Sequence, residues 1–339
     1  MLNQAFINLK TLRNNAEKIK RVLPKTTKFC AVVKADAYGH GLEVCAQALY
    51  SIVDSFAVAL TEEGVKLRLS GIDKDVLVLT PVLDFDTELA IRYDLTLSVE
   101  SLKEIKAIFC EAKKQGKTAK VHIKFNSGMN RQGLDSLSEL KEILEFAKDK
   151  KNIVIDGFFS HYAKPQEDKS LKRATDNFLL ANELVKSYNN NAVSHISASG
   201  GFLRGKFFDM VRIGILLYGY YPFKTDKIKV KPIMKLYSYV LKNRTLKRGS
   251  SALYGNKKVV TKTQVAFIRY GYADGLPRKQ INGQFNNRCM DLTAVKTDRQ
   301  LKGKVLVLGD ADKFAKAYKS INYEVLVNCA HRAEKIYRR

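Results

Sequence analysis

Eight apolar, β-rich runs alternate with helical patterns over the first two-thirds of the chain, and this alternation restricts the fold more than any other property. The runs are Phe29–Lys34, Ser55–Leu60, Asp75–Thr80, Leu95–Val99, Ala119–Asn126, Ile153–His161, Ala192–Ser199 and Met210–Gly219. Between them, helical periodicity marks Gly41–Tyr50, Thr61–Leu69, Thr87–Tyr93, Leu102–Gln115, Leu137–Lys150 and Lys169–Tyr188. The seventh gap, around Gly201–Arg204, is nearly too short for a helix. Strands that are apolar throughout are buried on both faces, and a crossover after each one makes them parallel. Eight such units predict an α/β fold closed as a (β/α)8, TIM-like barrel. A further helical pattern, Leu9–Val22, ends at Pro24 and precedes the first barrel strand.

The pattern changes near Pro222 and Pro232. Beyond them lie Leu236–Leu246, Val259–Tyr270, Asp291–Lys296, Lys304–Leu308 and Tyr323–Cys329, read as mostly β with Gly and Asn between. The expected division is a barrel over 1–230 and a smaller, mostly β C-terminal domain over 231–339.

Several classes are set aside on composition. The amino terminus has no apolar core of signal-peptide length, and no run approaches the roughly 18 residues of a membrane span. The cysteines Cys30, Cys45, Cys110, Cys289 and Cys329 form an odd, scattered set without a Cys-x-x-Cys pair, so neither a disulfide framework nor a metal site is expected. The expected location is a reducing cytoplasm. Net charge is +25, and residues 236–339 hold 22 Lys/Arg against 7 Asp/Glu. Without a nucleic-acid motif, tryptophan or basic-aromatic interleaving, that charge reads as a lysine-rich solvated surface, with no nucleic-acid or membrane partner expected.

In a barrel the chemistry sits at the carboxyl ends of the strands. Lys34 closes the first strand and is followed by Tyr38-Gly-His-Gly41, so its half-desolvated amine is suited to condensing with a carbonyl. Lys124 closes the fifth strand and Arg131 follows in the next loop. His161 ends the sixth strand and Ser199 the seventh, and Arg212, Gly214 and Ile215 lie in the eighth. Ser199-Gly-Gly and Gly214-Ile215 suit a phosphate, because glycine lets backbone N–H groups approach an anion. Arg212, within an apolar strand, requires a partner such as the ring nitrogen of a cofactor.

Ala31-Val-Val-Lys34-Ala-Asp-Ala-Tyr38-Gly-His-Gly41 resembles the pyridoxal-lysine motif of bacterial alanine racemases. The similarity continues in order through Lys124…Gly128-Met129…Arg131, Ser160-His161, His195-Ile-Ser-Ala-Ser199, Val211-Arg212-Ile-Gly-Ile, Leu253-Tyr254-Gly255, Gly271-Tyr272-Ala-Asp-Gly275, Cys289-Met290-Asp291 and Ile321-Asn-Tyr323. The resemblance implies a pyridoxal 5'-phosphate (PLP) enzyme that interconverts L- and D-alanine for peptidoglycan. It implies a homodimer with its sites at the subunit interface. Lys34 would carry the cofactor and serve as base on one face of the substrate. Tyr254, from the partner's β domain, would serve on the other. Tyr38, Ser199, Gly214, Ile215 and Tyr323 would hold the phosphate, and Arg212 the ring nitrogen, supported by His161 and His195. Arg131 would orient the substrate carboxylate, braced by Lys124, which relatives often carry as a carbamate. Met290 would line the neighbouring site, with Tyr272 and Asp291 in support. Removing and returning a proton on opposite faces of a planar carbon requires two bases that cannot share a face.

Three departures stand out. Asn126 occupies an aspartate position, Ala198 an asparagine position, and Gly283–Asp291 is shorter than in relatives. Open alternatives are a related racemase acting on serine or a basic amino acid, and a non-catalytic PLP-binding protein.

Overall fold

A computed structural model describes residues 3–82, 84–254, 258–275, 277–278 and 286–339. Gly255 and the stretch Gly283-Gln-Phe, both singled out in the sequence, lie outside the described residues. The chain forms two compact units: one of Leu12–Ala37 and Leu42–Val230, the other of Met1–Thr11, Tyr38–Gly41 and Lys231–Arg339.

The first unit is the expected barrel. Numbering strands along the chain, β1 (Gln4–Asn8) belongs to the other unit, and the barrel strands are β2 (Lys28–Val32), β3 (Ser55–Val58), β4 (Val76–Val78), β5 (Thr96–Val99), β6 (Ala119–Lys124), β7 (Ile153–Phe159), β8 (Val193–His195) and β9 (Met210–Ile213). All are parallel, in the order β8-β7-β6-β5-β4-β3-β2-β9. A parallel bridge between Ala198 and Arg212, with Arg212 N donating to Ser197 O at 2.9 Å, joins the two ends of that order just beyond β8. Helices fill the crossovers, for example Leu102–Lys114, whose Ser101 hydroxyl accepts from Glu104 N, and Leu137–Ala147, capped reciprocally by Ser136 and Glu139. Burial of Phe29, Phe56, Phe158 and Phe178 fills the interior and the helix–sheet layer.

Three sequence expectations are adjusted here. Strand β2 ends at Val32, so Lys34 opens a turn instead of closing a strand. Ala35, Asp36, Ala37 and Tyr38 have φ of 51, 55, 52 and 55°, a left-handed helical turn without a glycine until Gly39. Left-handed backbone costs about 1–2 kcal/mol per residue. The compensation is specific: Glu63 Oε1 accepts from Ala35 N at 2.6 Å, Asp36 Oδ1 from Leu42 N at 2.8 Å, and Val33 O from Ala37 N at 2.8 Å. In the seventh crossover, Ser199 starts a five-residue helix, Ser199–Leu203, and does not end β8. Strand β9 stops at Ile213 and leaves Gly214 and Ile215 in the following turn.

The second unit is a seven-stranded sheet in the order β12-β13-β11-β10-β1-β15, with β14 also on β10. Its strands are β10 (Met234–Leu246), β11 (Thr263–Ile268), β12 (Asn286–Arg288), β13 (Thr293–Thr297), β14 (Lys304–Leu308) and β15 (Glu334–Arg338). The run Tyr323–Cys329, expected as β, is instead the helix Asn322–Cys329. Val325, Leu326 and Cys329 are buried while Glu324 and Asn328 face outward, which is helical spacing inside a run too short to reveal it. Gly39 belongs to this unit and has φ +81°; a Cβ there would lie 2.5 Å from Leu326 O.

Candidate active site

The barrel brings together Lys34, Lys124, Arg131, His161 and Arg212, as their mutual electrostatic influence records. Burial first, then Arg131 and Arg212, lowers the Lys34 pKa below the usual lysine value, against an opposing pull from Glu63. Glu63 also accepts from Ala59 N and Leu60 N through its second oxygen, so one carboxylate fixes the end of β3 and the turn that presents Lys34. Lys124 is buried; its ammonium donates to Leu79 O at 3.0 Å and Gln132 Oε1 at 2.7 Å. Burial, with Arg131, Arg212 and Lys34 nearby and Glu100 opposing, pushes it down to about 8.

Arg212 is 3 % exposed and has no carboxylate partner among the described residues. Its donors go to Ser160 O at 2.6 Å, His195 O at 2.9 Å, Ile196 O at 3.3 Å and the Nδ1 of His195. A fully buried cation held only by neutral acceptors remains electrostatically unsatisfied. Burial draws its pKa down to about 10, still cationic near neutrality. His161 Nδ1 lies 3.5 Å from the same guanidinium, and burial, then Arg212, Arg131, Lys34 and Lys124, pushes its pKa down to about 3. Both His161 and the enclosed His195 are therefore neutral rings.

Ser199 Oγ accepts from Gly214 N at 3.3 Å, which joins two parts of the expected phosphate cradle beside buried Gly200, Gly201 and Ile215. Asn126 organises the Arg131 loop: its Nδ2 donates to Asp135 Oδ1 at 2.7 Å and its Oδ1 accepts from Asn130 N at 2.9 Å. An aspartate at 126 would face Asp135 as a like charge, so this departure is explained locally.

In the second unit, Tyr38 and Tyr323 are neighbours with ring centroids 6.0 Å apart. Burial raises both phenol pKa values, leaving neutral donors. Tyr272 N donates to Cys289 O at 3.1 Å and Ala273 N to Met290 O at 2.9 Å, which sets Tyr272 beside the Cys289-Met290-Asp291 turn. Asp291 pairs with Arg332 at 3.0 Å. Tyr254 is 86 % exposed within its own unit. Arg288 is buried against Tyr318, with its ring centroid 5.0 Å away. Sequence reasoning missed Glu63, Gln132 and His122; the last was visible as the one polar residue between Val121 and Ile123.

The alanine racemase N-terminal domain profile matches residues 7–222, and the C-terminal domain profile matches 233–337. The chain belongs to the alanine racemase family. It is 33 % identical to the alanine racemase of Clostridium novyi, over 98 % of this chain and 94 % of that protein. It is 30 % identical to that of Aquifex pyrophilus, over 95 % and 94 %. Among solved structures, the alanine racemase of Clostridium difficile 630 superposes with a TM-score of 0.93 at 33 % identity, over 100 % and 96 % of the two chains. The Bacillus anthracis alanine racemase, solved with bound L-Ala-P, gives 0.93 at 26 % identity, over 99 % and 95 %.

The alanine racemase family is PLP-dependent. The chemistry of the barrel residues fits PLP: a depressed lysine amine, a buried arginine lacking an acid, and a serine hydroxyl joined to a glycine N–H. Among the described residues there is no cluster of three metal-ligating side chains, and no helix is long and apolar enough to cross a membrane.

Proposed function

We propose that this chain interconverts L- and D-alanine with PLP, in the cytoplasm, supplying D-alanine for peptidoglycan. Family membership over the whole chain supports the reaction, and one observation carries the chemistry: a buried arginine without a carboxylate sits with a depressed lysine amine at one barrel mouth. Bound PLP would supply the electron sink that acidifies the substrate Cα–H.

The chain's own residues do the rest. Lys34, its pKa lowered by burial and by Arg131 and Arg212, would accept or return a proton on one face at Nζ. Arg212, cationic and held by neutral acceptors, would donate to the ring nitrogen, while neutral His161 and His195 keep further positive charge away from it. Ser199, Gly214, Ile215, Tyr38 and Tyr323 would hold the phosphate. Arg131 would hold the substrate carboxylate, with Lys124 behind it. Tyr254, exposed in its own unit, would act on the opposite face of the substrate bound by a second copy, with Met290, Tyr272 and Asp291 in support. The protein is on this reading a homodimer whose sites are incomplete in one copy.

A chiral assay of the purified protein with L-alanine, with and without added PLP, tests the proposal. Cofactor-dependent formation of D-alanine is expected. Turnover of serine or a basic amino acid in preference to alanine, or no turnover, would overturn it.

A further inference from the structure

Behind Arg212 the barrel holds a further buried imidazole that no part of the proposed reaction uses. His122, on β6 and 5 % exposed, places Nδ1 2.8 Å from Nε2 of His195. Its own Nε2 lies 3.6 Å from Asp156 Oδ2 on β7, whose side chain is 38 % exposed. Asp156, His122, His195 and Arg212 thus form one line of polar groups from solvent to the buried guanidinium.

Donor and acceptor counting gives the line a direction. Arg212 has only N–H donors, so His195 Nδ1 must accept. The His195 proton is then on Nε2, and His122 Nδ1 must accept it. That leaves the His122 proton on Nε2, facing the Asp156 carboxylate. Reversing either ring would set two N–H groups, or two lone pairs, against each other in a buried site.

The backbone makes room for this arrangement. A Cβ at Gly157 would lie 2.6 Å from both Cε1 and Nε2 of His122, so only glycine lets the ring lie where it does. The β6–β7 register also shifts between Val121 and His122, which pairs His122 with Gly157. A residue that merely filled the core would need neither device.

We infer that His122 is a positioning residue: seated on Gly157 and backed by Asp156, it fixes the His195 tautomer and so the donors that Arg212 presents. Asp156 contributes a carboxylate at the solvent end of the line. The inference rests on the proposed function only in what Arg212 then serves; the tautomer itself is a property of the protein.

The test uses the full chain, with PLP added, in three variants. His122→Phe keeps the ring's bulk and removes the acceptor, whereas His122→Asn places Oδ1 near where Nδ1 stood. Gly157→Ala leaves all four polar residues intact but pushes the ring away. In ¹⁵N–¹H spectra, wild type and His122→Asn should show His195 as one tautomer, bare at Nδ1 and protonated at Nε2. His122→Phe and Gly157→Ala should each shift the His195 and Arg212 guanidinium signals, and kcat should fall about 10–100-fold with KM within about two-fold. Adding His122→Asn to Gly157→Ala should relieve the clash and restore both readouts in part. If His122→Phe leaves those signals at wild-type positions, or if Phe and Asn variants lose kcat equally, His122 is core filler and the inference fails. An inactive wild type carrying the stated tautomer would overturn the proposed function and leave this assignment standing.

Discussion

The rings of Phe159 and His195 lie 5.0 Å apart and within 3° of parallel. Arg212 Cζ and Lys124 Nζ stand 5.2 and 5.6 Å from the same phenyl centroid. One aromatic ring at the end of β7 therefore serves two cations that have few anions to face. Phe159→Leu should cost about 2–3 kcal/mol, combining lost packing with lost cation–π attraction. Chemical unfolding measures it, and a change within about 0.5 kcal/mol, the range of an ordinary surface substitution, would contradict this role.

Lys124 gives a stability signature with a definite sign. Its folded pKa of about 8 lies below the usual lysine value of 10.5, so between these the unfolded chain binds more protons than the native one. Its contribution to stability therefore rises with pH across that window, by about 3 kcal/mol in total, and is at its lowest below pH 8. The difference in urea midpoint between wild type and Lys124→Met should change over pH 8–10.5. A difference that is flat across the window would refute the depressed ammonium.

His161 should stay uncharged wherever the enzyme works. With a folded pKa near 3 against the ordinary 6.5, its contribution to stability is lost as pH falls below 6.5 and the unfolded ring takes up a proton. An NMR titration of the ring should show no protonation between pH 5 and 8. A midpoint near 6.5 would mean that the surrounding cations do not act on it as described.

Glu63 holds three backbone N–H groups around the left-handed turn that begins at Ala35. Glu63→Ala should let that turn relax and displace Lys34, lowering kcat/KM by about 10²-fold. Steady-state rates in both directions measure the loss, and an unchanged kcat/KM would show that the turn holds itself.

Much of this architecture is legible in the chain because parallel strands covered on both faces read as unbroken apolar runs, as in Phe29–Val33 and Phe56–Val58. The site residues were visible for a related reason: Lys124 and Arg212 interrupt or end such runs. The turn after Lys34 was hidden, since four successive non-glycine residues at positive φ contradict local preference and depend on Glu63, far along the chain. Strand β1 was missed because Gln4–Asn8 pairs with strands more than two hundred residues away. The helix Asn322–Cys329 was read as a strand because eight residues contain too few turns for periodicity to separate the two. His122 needed Gly157 beside it to acquire a meaning.

On the proposed function, each site combines Lys34 of one copy with Tyr254 of another. Lys34→Ala alone and Tyr254→Phe alone should each lower kcat/KM by about 10²–10⁴-fold, equally in the two directions because L- and D-alanine are equal in free energy. Co-refolding equal amounts of the two variants separates a shared site from a self-contained one, because a two-fold symmetric mixed dimer regains one complete site. The mixture should recover about a quarter of wild-type activity, as random pairing gives half mixed dimers with one good site in two. Mixed dimers that form and remain as inactive as their parents would contradict it.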